Sequence, residues 1–218
     1  AVRLAVANAP KIALRLMLAH VIAGASHWRI EPERQQAANE AIATALSALP
    51  SQTAFAAERE AARQLLGWNE PDGPLIAQDA NGSRTADVLA KLIALSDKEV
   101  MRLLAMVMAE ALASGTALID TLGETLTVDV ARHWQPDETY FELARDRETV
   151  GAMLGEVIGE PAAAGYLTDT GTRKKAIIRK ALAGDGRTKV DGWLPRYMRF
   201  PQGGYTERAL LARERAAA

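Results

Sequence analysis

The stretch Ser96 to Gly115, SDKEVMRLLAMVMAEALASG, constrains this chain more than any other. Ser96 followed by Glu99 reads as a capping box, in which the Ser hydroxyl takes the backbone N–H three residues on and the Glu reaches back to the cap. Gly115 reads as the matching stop. Between them Val100, Leu103, Leu104, Val107, Met108, Ala111 and Leu112 recur at helical spacing, and Met101, Ala105 and Met106 widen the apolar sector to most of the circumference. A helix apolar nearly all round has to be surrounded by others. The expected fold class is therefore all-α, a multi-helical globular domain around a central buried helix at about 96–114.

The rest of the chain supplies helices to surround it. Ala9 to Ala23 reads as one, with Pro10 at its first position and Gly24 at its end. A second is expected from Pro32, with Ala37, Ala41, Ile42, Ala43, Leu46 and Leu49 on a small-residue face until Pro50 interrupts it. A third runs from Ser51 to Leu66 and stops at Gly67. Asn69 to Pro74, with Asn81 and Gly82 soon after, reads as a loop or hinge over 68–84. Thr85 to Ala94 is helical and leads into the central helix. Beyond Gly115, Leu118, Ile119 and Leu122 indicate a short helix ended by Gly123, and Val128 to Trp134 a short turn. Pro136 opens a helix through Tyr140, Phe141 and Leu143, and Asp146 caps another through Val150, Met153, Leu154, Val157 and Ile158. No stretch alternates with period two.

After Pro161 the texture changes. Gly171 to Gly184, GTRKKAIIRKALAG, reads as a basic amphipathic helix with Ile177, Ile178 and Leu182 inward and Lys174, Lys175, Arg179 and Lys180 outward. A Gly- and Pro-punctuated arm with Trp193, Tyr197, Phe200 and Tyr205 follows, and Thr206 to Ala218 closes the chain as a charged helix. The expected organisation is a helical core over 1–160 and a basic helix plus aromatic arm over 161–218, packed on the core or extending from it.

Hydrophobic residues are 49% of the 218 positions, enough for one substantial core or two small ones. The formal net charge of −1 lacks the overall basic signature of a nucleic-acid binder. The distribution says more: ten acids against three bases from Asp120 to Glu160, then nine bases against two acids from Gly171 to Phe200. Neighbouring blocks of opposite sign either face each other or reserve the basic one for an anionic partner. Cysteine is absent, which removes disulfides, thiolate ligands and Cys nucleophiles and fits a reducing cytoplasm. No apolar run reaches the roughly 18 residues that span a bilayer, so no membrane role is expected. The start at Ala1 rather than Met reads as a piece of a longer protein.

No catalytic motif stands out. His20 and His27 are separated by Gly24, and a zinc site with His133 would need all three within about 2.1 Å of one ion. His27 and His133 each precede a Trp, so Trp28 and Trp134 are expected to anchor loops while the imidazoles sit near water. The pairs Asp137/Glu138 and Asp146/Glu148 could hold a divalent ion for nuclease chemistry, but acids at helix starts are ordinary dipole complements. Ser51, Ser83 and Ser96 lack a nucleophile-elbow context, and GDGRTK at Gly184 to Lys189 lacks the spacing and preceding strand of a phosphate loop. No metal or cofactor is expected. The candidate DNA-binding residues are Arg173, Lys174, Lys175, Arg179, Lys180, Arg187, Lys189, Arg196 and Arg199, with Trp193 and Tyr197 as candidate stacking residues, because interleaved cations and aromatics suit phosphates and exposed bases. Their other reading is a solvated face, or a partner for the acidic block.

Several phrases together resemble one family: LRLMLAHVIAGASHWRIEP, AFAAEREAARQLLG, LSDKEVMRLLAMVMAEALASG, WQPDETYFELARDRETVGAMLGEV, and KAIIRKALAG followed by GRTKVDGWLPRYMRFP. They are similar to the C-terminal region of the large ParB-like proteins of alphaproteobacteria, called plasmid or chromosome partitioning proteins or ParB-like nucleases. The resemblance covers about Leu14 to Tyr205 and lies in extended wording rather than a catalytic signature. It implies a parent protein that binds DNA in plasmid or chromosome segregation, with the ParB fold and helix-turn-helix upstream and a partition ATPase as a candidate partner. The ParB nucleotide- and phosphate-binding motifs have no match here. Three roles follow as expectations: a non-catalytic domain that assists DNA binding through the basic arm; an oligomerisation or partner-docking module using the Ala-rich helices before Leu66; or part of a nuclease.

Overall fold

Short polar caps divide the chain into helices. The computed structural model describes residues 10–24, 30–33, 37–69, 73–76, 83–112, 116–186 and 188–207, and no strand occurs among them, so the fold is all-α. The longer helices are α1 (Pro10–Ala23), α2 (Glu40–Ser47), α3 (Pro50–Leu65), α4 (Ser83–Ala94) and α5 (Asp97–Glu110). They continue with α6 (Ala117–Thr125), α7 (Glu138–Leu143), α8 (Arg147–Ile158), α9 (Glu160–Ala163) and α10 (Gly171–Ala183). Two compact units result, one of Ala1–Ala37 with Pro50–Ala113, the other of Ala38–Leu49 with Ser114–Ala218. The texture change at 160/161 does not separate two cores, because Phe141, Met153 and Leu154 before it share one cluster with Ile178, Ala181 and Trp193 after it.

In the first unit α1 packs on α4 and α5, and α3 packs on α5. Leu18 and Ile22 of α1, Leu92 of α4 and Val100 and Leu103 of α5 lose all contact with solvent, each contributing about 1.5–3 kcal/mol by burial. The capping box of α5 is present: Ser96 Oγ accepts from the Glu99 N–H at 3.4 Å, and Glu99 Oε2 accepts from the Ser96 N–H at 2.8 Å. The helix ends at Glu110, and the expected stop at Gly115 lies outside the described residues. Its buried sector is narrower than its apolarity implies. Met101 and Met108 are 53% and 50% exposed and Ala105 is exposed with them, an i, i+4, i+7 outer face. The helix gives one face to the core rather than being enclosed by it.

Arg15 joins three helices of this unit. Its buried guanidinium donates from Nε to the Leu92 carbonyl at 3.0 Å, from its terminal nitrogens to the carbonyls of Lys11 and Leu95 at 3.2 Å each, and to Asp97 Oδ1 at 2.7 Å. Leu92 lies in the last turn of α4 and Leu95 just after it, where carbonyls lack the usual helical donor, and from the backbone the Leu92 carbonyl accepts the Leu95 N–H at 3.3 Å. Lys91 Nζ serves the Leu66 carbonyl after α3 in the same way. Lys11 first, and then Arg15, hold the Asp97 carboxyl below its usual range.

Glu110 fastens residues 73–76 of the expected hinge. Its Oε2 accepts from the N–H groups of Leu75 at 2.8 Å and Ile76 at 3.4 Å, while Arg63 donates to the Gly73 and Pro74 carbonyls at 3.3 and 3.4 Å. Burial of the Glu110 carboxyl raises its pKa against the opposing pull of those two N–H bonds and of Arg59 and Arg63.

The second unit centres on α8, which packs against α9 and α10. Asp146 Oδ1 accepts from the Thr149 N–H at 2.6 Å to start α8, and Asp137 Oδ1 accepts from the Tyr140 N–H at 2.8 Å to start α7. The second helix of the chain begins later than Pro32, at Glu40, because Asn39 supplies the cap through a 2.9 Å bond from the Ile42 N–H. Gly123 does not end α6, which runs through it to Thr125. A Cβ there would collide with the Phe200 ring, so glycine is needed as a seat for the arm.

Two outcomes follow from the first unit. Arg15→Met removes the buried donor to the Leu92 and Leu95 carbonyls and to Asp97, and urea denaturation is expected to show a loss of about 2–4 kcal/mol with an unchanged m value. The raised pKa of Glu110 means that the folded state binds its proton more tightly than the unfolded state. Its contribution is fully present below the ordinary glutamate value and is lost as pH rises through the folded value. Glu110→Gln, followed by thermal melts at pH values rising from the ordinary glutamate range, is expected to flatten this pH dependence.

Candidate functional site

The basic segment was the candidate site, and its side chains divide by where the fold puts them. Lys174 does not face outward: it is buried, and its Nζ donates to the Leu167 carbonyl at 3.2 Å. Lys175 Nζ donates to the carbonyls of Phe141 at 2.6 Å and Ala144 at 3.2 Å, serving the C-terminal end of α7. Arg179 meets Glu138 Oε1 at 2.6 Å and lies over the Phe141 ring at 5.1 Å. The outward positions of α10 are Arg173, 3.1 Å from Asp169, and Lys180, 3.7 Å from Asp185. Lys189 pairs with Asp191 at 2.5 Å, also at the surface. Arg187 lies outside the described residues.

The arm after α10 closes on one carboxylate. Trp193 Nε1 donates to Glu156 Oε2 at 3.2 Å and the Tyr205 hydroxyl donates to the same oxygen at 2.9 Å. Arg196 Nε donates to Glu156 Oε1, and an Arg199 terminal nitrogen lies 3.6 Å from Oε2. Tyr205 accepts from the Arg196 N–H at 3.1 Å, and its ring lies 4.9 Å beneath the Arg196 guanidinium. Arg199 also donates from Nε to the Leu194 carbonyl at 2.7 Å. Burial raises the Tyr205 pKa and the neighbouring Glu156 adds to the shift, so the hydroxyl keeps the proton that it donates.

Three further contacts fix the arm's course. The Gln202 N–H donates to Asp120 Oδ1 at 2.9 Å, the Phe200 ring lies on Gly123, and the Val190 N–H donates to the Ala181 carbonyl at 3.1 Å. Trp193 is therefore a core residue, not an exposed stacking platform. Tyr197 stays exposed at its rim, with its hydroxyl 2.5 Å from that of Tyr140. Burial pushes both phenols above their usual pKa, with the Tyr197 contact adding to the shift at Tyr140. Tyr140 also takes Trp134 edge-on at 5.4 Å, which seats that loop as expected while His133 is exposed. Trp28 and His27 lie outside the described residues.

The residues that sequence reasoning missed are Glu156 and Tyr205 as partners, and Asp120 and Gly123 as docking points. One signal was available: Glu156 sits in the last turn of α8, where the helix dipole disfavours an acid unless a cation compensates it. The acids weighed for metal chemistry have other duties, since Asp137 and Asp146 are caps and Glu138 pairs with Arg179. Among the described residues no group of three His, Cys, Asp or Glu side chains is placed to hold a metal ion. No described helix is long and apolar enough to cross a membrane.

Several apolar side chains have no such duty. On α6, Leu118 is 56% exposed, and Leu126, its C-cap, 66%, with the half-buried Leu122 between them at i+4. Val128 follows, also exposed. On α2 no residue is buried, although Ala41, Ile42, Ala43, Ala45 and Leu46 make most of it apolar. Comparison with protein-family models, with curated proteins and with solved structures finds no match.

Lys175 and Lys189 separate the two classes of cation. Lys175→Met is expected to cost about 1–2 kcal/mol in urea denaturation, because two helix-end carbonyls lose their donor. Lys189→Met removes only a surface pair and is expected to change stability by less than about 1 kcal/mol.

Proposed function

We propose that this chain is a non-catalytic helical domain of a ParB-like DNA-binding protein of plasmid or chromosome partitioning, and that it works there by docking to another protein surface. What supports the partitioning role is the extended wording from about Leu14 to Tyr205. What supports docking is one contrast in the second unit. Lys174, Lys175 and Arg179 are engaged with carbonyls and Glu138, whereas Leu118 and Leu126 are turned to solvent. The exposed Leu118 and Leu126, with the half-buried Leu122 between them at i+4, form a strip suited to a partner helix. The Ala-rich face of α2 and the exposed Ala54, Ala56 and Ala57 of α3 permit close approach of another backbone.

The second reading is assistance to DNA binding. It rests on the exposed cations Arg173, Lys180 and Lys189, of which Lys180 and Lys189 pair with surface acids in contacts that cost little to exchange for phosphate.

Sedimentation velocity over a wide concentration range, paired with a duplex DNA titration, tests the two. Docking to a second copy is expected to give a mass that rises with concentration and falls back to the monomer in Leu118→Lys/Leu126→Lys. Constant monomer mass, together with salt-sensitive DNA binding lost on reversing Arg173, Lys180 and Lys189, would replace docking by the DNA reading. Constant mass without DNA binding would remove docking between copies and the DNA reading, leaving a different protein, such as a partition ATPase, as the docked partner.

A further inference from the structure

Glu156 does not exhaust the donors that converge on it. Arg196 gives Glu156 its Nε, and among the described residues neither of its terminal amino groups makes a hydrogen bond. Arg199 gives one terminal nitrogen and its Nε to the Leu194 carbonyl, with Glu156 at the longer distance of 3.6 Å. The two side chains are 47% and 46% exposed, while Glu156 is 17% exposed. One largely covered carboxylate thus lies within ion-pair distance of two half-exposed guanidinium groups. The Tyr205 ring supports Arg196 from below, and the Trp193 and Tyr205 donors fix the carboxylate itself.

That arrangement has a chemical preference. Two half-exposed guanidinium groups around one carboxylate carry a local excess of one positive charge, which suits a tetrahedral oxyanion with several acceptor oxygens. Much of the rotamer entropy that long side chains lose on binding is already lost in the fold. Lys180 and Lys189, by contrast, are single surface cations, each beside one acid. We infer that Arg196 and Arg199 form a preorganised clamp for a phosphate group, with Glu156 as the residue that positions them. The phosphate is that of a nucleic-acid backbone or of a free phosphate or nucleotide. The clamp goes beyond docking and stands whether or not the leucine strip of α6 has an occupant.

The test uses the intact chain labelled with ¹⁵N, observed at low salt through the Arg side-chain Nε–H signals and the Trp193 indole signal, which Trp193→Phe assigns. Inorganic phosphate, a nucleotide and a short DNA duplex are titrated separately. A bound phosphate is expected to move the Arg196, Arg199 and Trp193 signals together and saturably. Arg196→Gln and Arg199→Gln are each expected to weaken that binding by about tenfold, with thermal melts checking that each variant folds. Lys189→Gln, the same loss of charge elsewhere on the surface, is expected to leave it within about twofold. Saturation by inorganic phosphate or nucleotide identifies a free ligand, and saturation by the duplex alone identifies the backbone. The clamp is overturned if the three signals stay in place with all three probes, or if Lys189→Gln weakens binding as much as the arginine variants.

Discussion

The second unit depends on the carboxylate of Glu156. An acid in the last turn of a helix opposes the helix dipole, and here it is largely covered as well. Two arginines, an indole N–H and a phenol compensate it, all from the arm between Trp193 and Tyr205. That arm contains only the short turn Arg196–Met198 as regular structure, so backbone hydrogen bonds alone do not account for its course. The charge that the acidic block places on α8 and the charge that the basic block carries in the arm meet at this point.

The first unit follows a related logic with the sign reversed. Arg15 brings a buried cation among carbonyl groups at the end of α4 and the carboxylate that starts α5. Glu110 then holds the N–H groups of Leu75 and Ile76, and Lys91 serves the end of α3. Arg15 and Lys91 bring long cationic side chains to carbonyls at helix ends, and Glu110 satisfies two loop N–H groups. The apolar clusters provide most of the burial, but these charges determine which helix end lies against which.

Much of the helical framework was legible because its signals are local. Ser96 with Glu99, Asp137, Asp146 and Gly67 act within a few residues of themselves, and the described chain places helix boundaries at or beside each. What was not legible depends on distant partners. Gly123 resembles a helix stop in sequence, and only the Phe200 ring shows why a glycine sits mid-helix. Lys174 and Lys175 have the composition of a solvated face, yet Leu167, Phe141 and Ala144 supply the carbonyls that take them. The methionines of α5 erred in the other direction, since apolarity at Met101 and Met108 does not require burial. Opposite charge in adjacent blocks did carry long-range information, and Arg179 with Glu138 and Arg196 with Glu156 show the pairing in detail.

The central claim is that the basic, aromatic arm is a packed part of the second unit and not a free tail for nucleic acid. Amide hydrogen exchange at Gln202 and Gly203 tests it most directly, because their N–H groups donate to Asp120 and to the Arg196 carbonyl, both at 2.9 Å. Exchange slowed well below the free-peptide rate at both sites, and restored when the unit is unfolded by urea, is the expected result. Free-peptide exchange at both sites in the folded protein would contradict the claim, and with it the role given to Glu156.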